Sequence, residues 1–197
     1  MATQTHPGSA KTLDGAQANS LEQRLFESRT LLLFGEINMA VAEVVSAQLL
    51  ALAAESDAPI RMVVHSPGGH VESADTLFDL VRAISAPVHM LGSGWVASAG
   101  ALIYASAPRD ARFALPNTRF LLHQPLGGVG GPAADIEIEA RQFQQMRRRL
   151  TETFAEATGQ PPERIERDTD RNYWLSAQQA VEYGLVGKIV RRLDEVT

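Results

Sequence analysis

The chain has 197 residues, 23 acidic against 18 basic side chains, a net charge of −5 and no cysteine. The missing cysteines exclude disulfides, thiolate metal sites and a cysteine nucleophile. The acidic balance argues against a nucleic-acid binder, which carries a basic excess, and no apolar run approaches the roughly 18 residues of a membrane span. At roughly 150 residues per domain the length fits one domain with a tail. Residues 1–20 are rich in Ala, Gly, Thr, Ser and Gln and lack an apolar segment, so they read as a flexible arm rather than a targeting signal. Residues 21–197 then form the single domain, and the cytoplasm is the expected compartment.

Beyond the arm, short apolar runs alternate with helical patterns, which predicts an α/β fold. Leu31–Phe34 reads as a strand closed by Gly35, and Met39–Ala54 as a helix. A second strand, Arg61–His65, runs into Ser66-Pro67-Gly68-Gly69, a turn signal. Val71–Ile84 is helical and is broken by Pro87; Val88–Leu91 is a third strand, followed by a small-residue turn and a helix from Ala97 to Ser106. Arg112–Leu115 and Phe120–His123 read as two strands joined at Pro116-Asn117. The longest helix runs from Ala133 to Thr158 and stops at Gly159 before Pro161-Pro162. Its apolar stripe is Phe143, Met146, Leu150 and Phe154. Two readings stand for it: a core helix with one solvated face, or a projection that packs on another subunit. Arg147-Arg148-Arg149 reads as solvated charge. Ser176 and Gln179 fit a capping box for a last helix ending at Gly184, and Val186–Val190 is a closing strand.

Three segments place reactive groups beside unusual backbone. Ser98 stands among small residues where a strand meets a helix, near N–H groups that have no helical partner. A nucleophile needs such donors, because its attack creates an oxyanion. A capping serine is the plainer reading, and the segment lacks the G-x-S-x-G elbow. Gly68-Gly69 can turn backbone N–H groups toward a ligand, or form a plain tight turn. His123 ends an apolar strand before Pro125, as a held general base or a structural histidine. His65 and His70 flank the glycines with no evident metal set.

Phe34-Gly35, Ser66-Pro67-Gly68-Gly69, Ala97-Ser98-Ala99-Gly100-Ala101, Leu115-Pro116-Asn117 and His123-Gln124-Pro125-Leu126-Gly127-Gly128 recur together in one known order. With Asp135-Ile136-Glu137-Ile138, Glu166-Arg167-Asp168-Thr169 and Glu182-Tyr183-Gly184-Leu185-Val186 they resemble the proteolytic subunits of the Clp protease (ClpP). The 25-residue gap from Ser98 to His123 fits as well. The resemblance implies a crotonase-like spiral α/β fold and an ATP-dependent Clp-type serine endopeptidase that degrades unfolded proteins and peptides. It implies Ser98 as nucleophile, His123 as general base, and the Gly69 and Ala99 backbone N–H groups as the oxyanion hole. It further implies that the long helix is a handle joining stacked heptameric rings, that Asp170 and Arg171 are charged positions at its base, and that a hexameric Clp ATPase and a ClpP paralogue are partners. No cofactor or metal is implied.

The chain departs from the family pattern at Asn172, where the family's third triad member is an Asp. An amide oxygen accepts the imidazole N–H but cannot supply charge, so slow or conditional activity is expected. Arg61 and Val63 replace aromatic residues of the family's ATPase-docking strand. Gly130-Gly131-Pro132 falls in the family's handle strand, where Pro removes a ladder donor. Two alternatives follow: a structural or regulatory ring subunit paired with an active paralogue, and an acyl-CoA enzyme of the crotonase class.

Overall fold

The computed structural model describes residues 15–128 and 130–197. Seven strands form one sheet: β1 (Thr30–Ile37), β2 (Ile60–Gly69), β3 (Val88–Ala97), β4 (Arg112–Ala114), β5 (Arg119–Leu122), β6 (Tyr173–Ser176) and β7 (Lys188–Ile189). The helices are α1 (Gly15–Glu27), α2 (Met39–Glu55), α3 (Val71–Ala83), α4 (Ala99–Tyr104), α5 (Ala133–Thr158), α6 (Pro162–Thr169) and α7 (Ala177–Tyr183). None of them is long and apolar enough to cross a membrane. Part of the arm expected over residues 1–20 is helical, since α1 begins at Gly15; residues 1–14 lie outside the described residues.

The strand order is β1-β2-β3-β4-β7, all parallel, with β5 beside β3 and β6 antiparallel to β5. Strand β3 therefore forks. Its first half, Met90–Gly92, pairs with β4, and its second half, Trp95–Ala97, pairs with β5. Gly94, with φ +65°, stands at the fork. Alternate residues of the central strands (Leu33, Met62, Val64, Met90, Phe120) are buried against Leu49 and Leu52 of α2, Leu77 of α3 and Tyr104 of α4. A shape-matched core of this kind needs only the two-residue strand period facing the helical stripe.

The glycine segment departs from the turn that the sequence predicts. Ser66-Pro67-Gly68-Gly69 stays extended as the end of β2, because β1 also continues past Gly35 and pairs with it: Glu36 with Gly68 and Ile37 with Gly69. A bulge between Phe34 and Glu36 absorbs the irregular glycine geometry. Strand β3 likewise runs on to Ala97 where a turn is predicted after Leu91.

Helix α5 has the predicted bounds, and Gly159 caps it at φ +72°. At 26 residues it is about 39 Å long. Its first ten residues are exposed, Ile136 and Ile138 included, whereas Phe154 is core and Leu150 packs on the core edge. The helix is thus core at one end and projection at the other. Among the described residues of 123–132 there is no strand. Gly130 and Gly131 favour no extended conformation, and Pro132 lacks a donor.

Candidate active site

Parallel strands release their C-terminal ends on one edge of a sheet, where α/β proteins place their sites. Here β2, β3 and β5 end together, and the residues at or just past their ends are Gly69, Ser98 and His123. Register brings in a fourth. In the antiparallel β5–β6 pair, Leu122 faces Tyr173, so the next residue outward on each strand sets His123 across from Asn172.

Ser98 occupies a strained corner between β3 and α4, with φ 55° and ψ −121°. A non-glycine residue at positive φ is held by its surroundings. The hold is visible: Ser98 N donates to Leu121 O at 2.9 Å, and Ala101 N and Leu102 N donate to Ser98 O. The capping reading fails, since the hydroxyl makes no cap bond. Ser98 Oγ instead pairs with His123 Nε2 at 2.7 Å. This positive-φ corner forms without the G-x-S-x-G sequence. Relief comes from Gly68 on the neighbouring strand, where a Cβ would stand 2.7 Å from Ser98 Cβ. Ser66 Oγ fixes this glycine strand by donating to Gly35 O at 2.7 Å and accepting from Gly68 N at 3.0 Å.

Gly69, Ser98, Ala99 and His123 line one cavity of about 220 Å³, whose apolar walls are Val71, Leu102, Pro125, Leu126 and Leu150. Gly69 has φ +148°, and a Cβ there would run into Ile37 backbone at 2.1 Å, so the position admits only glycine. Ala99 is the first residue of α4, so its N–H has no partner within the helix. Burial holds the His123 imidazole below its ordinary 6.5, and the Asn172 side chain acts in the opposite sense. A neutral imidazole at pH 7 is the form that accepts a proton.

Asn172 itself is exposed, with its side chain toward the His123 ring. Its turn is tied to the histidine strand by Gln124, whose N–H donates to Thr169 O at 2.8 Å and whose Nε2 donates to Asp170 O at 2.9 Å. The sequence does not single out Gln124 for this role; its place directly after His123 was the available signal. Asp168 points elsewhere. It accepts from the Tyr183 hydroxyl at 3.0 Å and pairs with Arg164 and Arg167. Of the other histidines, His65 bonds to Ser93 O, and His70 to Ser73 and Glu72. Among the described residues no three His, Asp or Glu side chains cluster as metal ligands.

The Clp protease family model matches residues 13–193. The chain is 57% identical to ATP-dependent Clp protease proteolytic subunit 3 of Rhizobium etli over 180 residues, covering 91% of this chain and 93% of that protein. It is 54% identical to proteolytic subunit 2 of Gluconobacter oxydans over 195 residues, 98% of this chain and 87% of that one. Among solved structures, ClpP1 from Listeria monocytogenes is similar with a TM-score of 0.82 at 46% identity, over 90% of this chain and 99% of that one. An Asn-to-Asp mutant of the same protein gives 0.84 at 47%. A sheet edge that gathers Gly69, Ser98 and His123, in a chain matched over nearly its whole length, leads to one conclusion: the chain belongs to the Clp protease family.

Proposed function

We propose that this chain is a proteolytic subunit of an ATP-dependent Clp protease, acting as a serine endopeptidase on unfolded proteins and peptides. The observation that carries this is the 2.7 Å contact of His123 Nε2 with Ser98 Oγ at a positive-φ corner beside a cavity. His123 takes the Ser98 proton as Oγ attacks the peptide carbonyl. The oxyanion is held by the N–H groups of Gly69 and Ala99. His123 returns the proton to the leaving amine; a water, deprotonated by the same imidazole, then releases the acyl group. Asn172 orients the imidazole as the third member and adds no charge, so turnover is slower than with a carboxylate there.

Residues 21–197 act as one peptidase domain in the cytoplasm. The exposed first half of α5 serves as the handle between stacked heptameric rings, with a hexameric Clp ATPase delivering substrate and a paralogue as a ring partner. The proteolytic-subunit names of the close relatives favour this reading over a non-catalytic ring subunit. The test is hydrolysis of a fluorogenic acylated peptide by the native chain and by Ser98→Ala. Turnover by the native chain, abolished in the variant, is expected; equal rates in both would overturn the assignment.

A further inference from the structure

Strand β6 sets Asn172 across from His123, yet it is four residues long and, among the described strands, pairs with β5 alone. A short ladder on one side is a weak hold, and such a strand needs a second one. The outer face of the sheet carries it. Trp95, Arg119 and Trp174 alternate with the core residues Val96, Phe120 and Leu175, so all three side chains leave the sheet on the opposite face. Trp95 and Trp174 stack with ring centroids 6.2 Å apart and planes 8° from parallel. Arg119 Cζ lies 4.3 Å from the centroid of the Trp174 ring. Both tryptophans of the chain therefore stand in this one contact.

The stack joins β3, β5 and β6, the strands that carry Ser98, His123 and Asn172 next to their ends. Register places it directly behind the site. Ala97, Leu121 and Trp174 form one row across the three strands, and Trp95, Arg119 and Ser176 form the row behind it. Leu121 O accepts from Ser98 N at 2.9 Å. Two residues outward from this row, on the same face, come His123 on β5 and Asn172 before β6. Neither tryptophan lines the Ser98 cavity, so the stack reaches the site only through the strands.

We propose that the Trp95–Trp174–Arg119 stack is a positioning brace for the triad, fixing β6 against β3 and β5 and thereby holding the Asn172 amide at the His123 ring. The three residues touch no reacting atom. Cross-strand aromatic and cation–π pairs stabilise the register of neighbouring strands, which is what an edge strand carrying an orienting group requires. The inference rests on the roles of Ser98, His123 and Asn172 in the proposed function.

The test is a double-mutant cycle of Trp174→Ala with Asn172→Ala, read by peptide hydrolysis and by NMR titration of the His123 ring in histidine-labelled protein. Trp174→Ala is expected to lower kcat about tenfold through a misplaced orienting group, with KM held within about twofold. It is also expected to lower the His123 midpoint, since the Asn172 side chain raises it. Trp174→Phe keeps a ring and is expected to restore kcat to within about threefold of native. In the Asn172→Ala background, Trp174→Ala is expected to change kcat by less than about twofold, because the group it positions is already gone. Arg119→Met removes only the cation–π contact at an exposed position. It reads the same brace, at about a threefold loss of kcat and with the midpoint again lowered, even where Trp174→Ala does not fold. Additive losses in the cycle, or a His123 titration unmoved in Trp174→Ala and Arg119→Met, overturn the proposal. A native chain without turnover would count against the proposed function, and the His123 titration would still decide the brace.

Discussion

On its Nε2 side the His123 imidazole meets a hydroxyl fixed by backbone; on its other side it faces a neutral, exposed amide on a turn. The Ser98 corner is set by four strands and by glycines that tolerate no Cβ. The Asn172 turn hangs from the histidine strand through Gln124 on one side and the β5–β6 pairing that begins at Tyr173 on the other. The nucleophile side is therefore preorganised within one chain, whereas the orienting side depends on how that turn is held. The difference teaches that Ser98–His123 chemistry and Asn172 tuning are separable by substitution.

The strongest break of this comparison is on the built side. Ser98→Ala and His123→Ala are each expected to lower kcat/KM by about 10⁴-fold or more, since triad members act as a unit. Peptide hydrolysis at matched, verified folding reads this out. Next is Gly68→Ala. A methyl 2.7 Å from Ser98 Cβ, at φ +104°, must displace the corner, and displacements of order 1 Å cost about 10²-fold in rate. An unchanged rate in that variant would show that the corner is pliable.

On the loosely built side, Asn172→Asp should raise kcat/KM by about tenfold or more, because a carboxylate stabilises the imidazolium. The same charge raises the His123 pKa. The native rate, which needs the neutral imidazole, falls only as pH drops through a value below 6.5; in Asn172→Asp that fall begins at higher pH. A pH–rate profile for both forms checks the sign. The smallest effect is expected at Asp168→Asn. Asp168 is committed to Tyr183, Arg164 and Arg167, so kcat/KM should change by less than about threefold while stability drops by about 1 kcal/mol. A collapse of activity would instead make Asp168 the acid of the site.

Much of this was legible in the chain because local signals and tertiary structure agree. Helix α5 and its Gly159 stop, the Ala- and Leu-rich α2 and the Ser176–Gln179 capping box follow from composition, periodicity and caps. The failures fall where pairing overrides local preference. Ser66-Pro67-Gly68-Gly69 reads as a turn by composition, yet β1 and its bulge hold it extended. Strand β6, four residues long, and the polar α6 carry too little pattern to be seen, although β6 is what sets Asn172 opposite His123. Ser98 lies in the motif, but its positive φ is a property of the corner, which no residue type in Val96-Ala97-Ser98 announces.

The central claim is that Ser98 is made nucleophilic by His123. Reaction with a fluorophosphonate, followed by peptide mass mapping across pH, tests it directly. The account predicts a single adduct at Ser98, forming at a rate that follows the neutral fraction of a group titrating below 6.5 and lost in His123→Ala. No adduct at Ser98, or an adduct whose rate ignores both pH and His123, would contradict it.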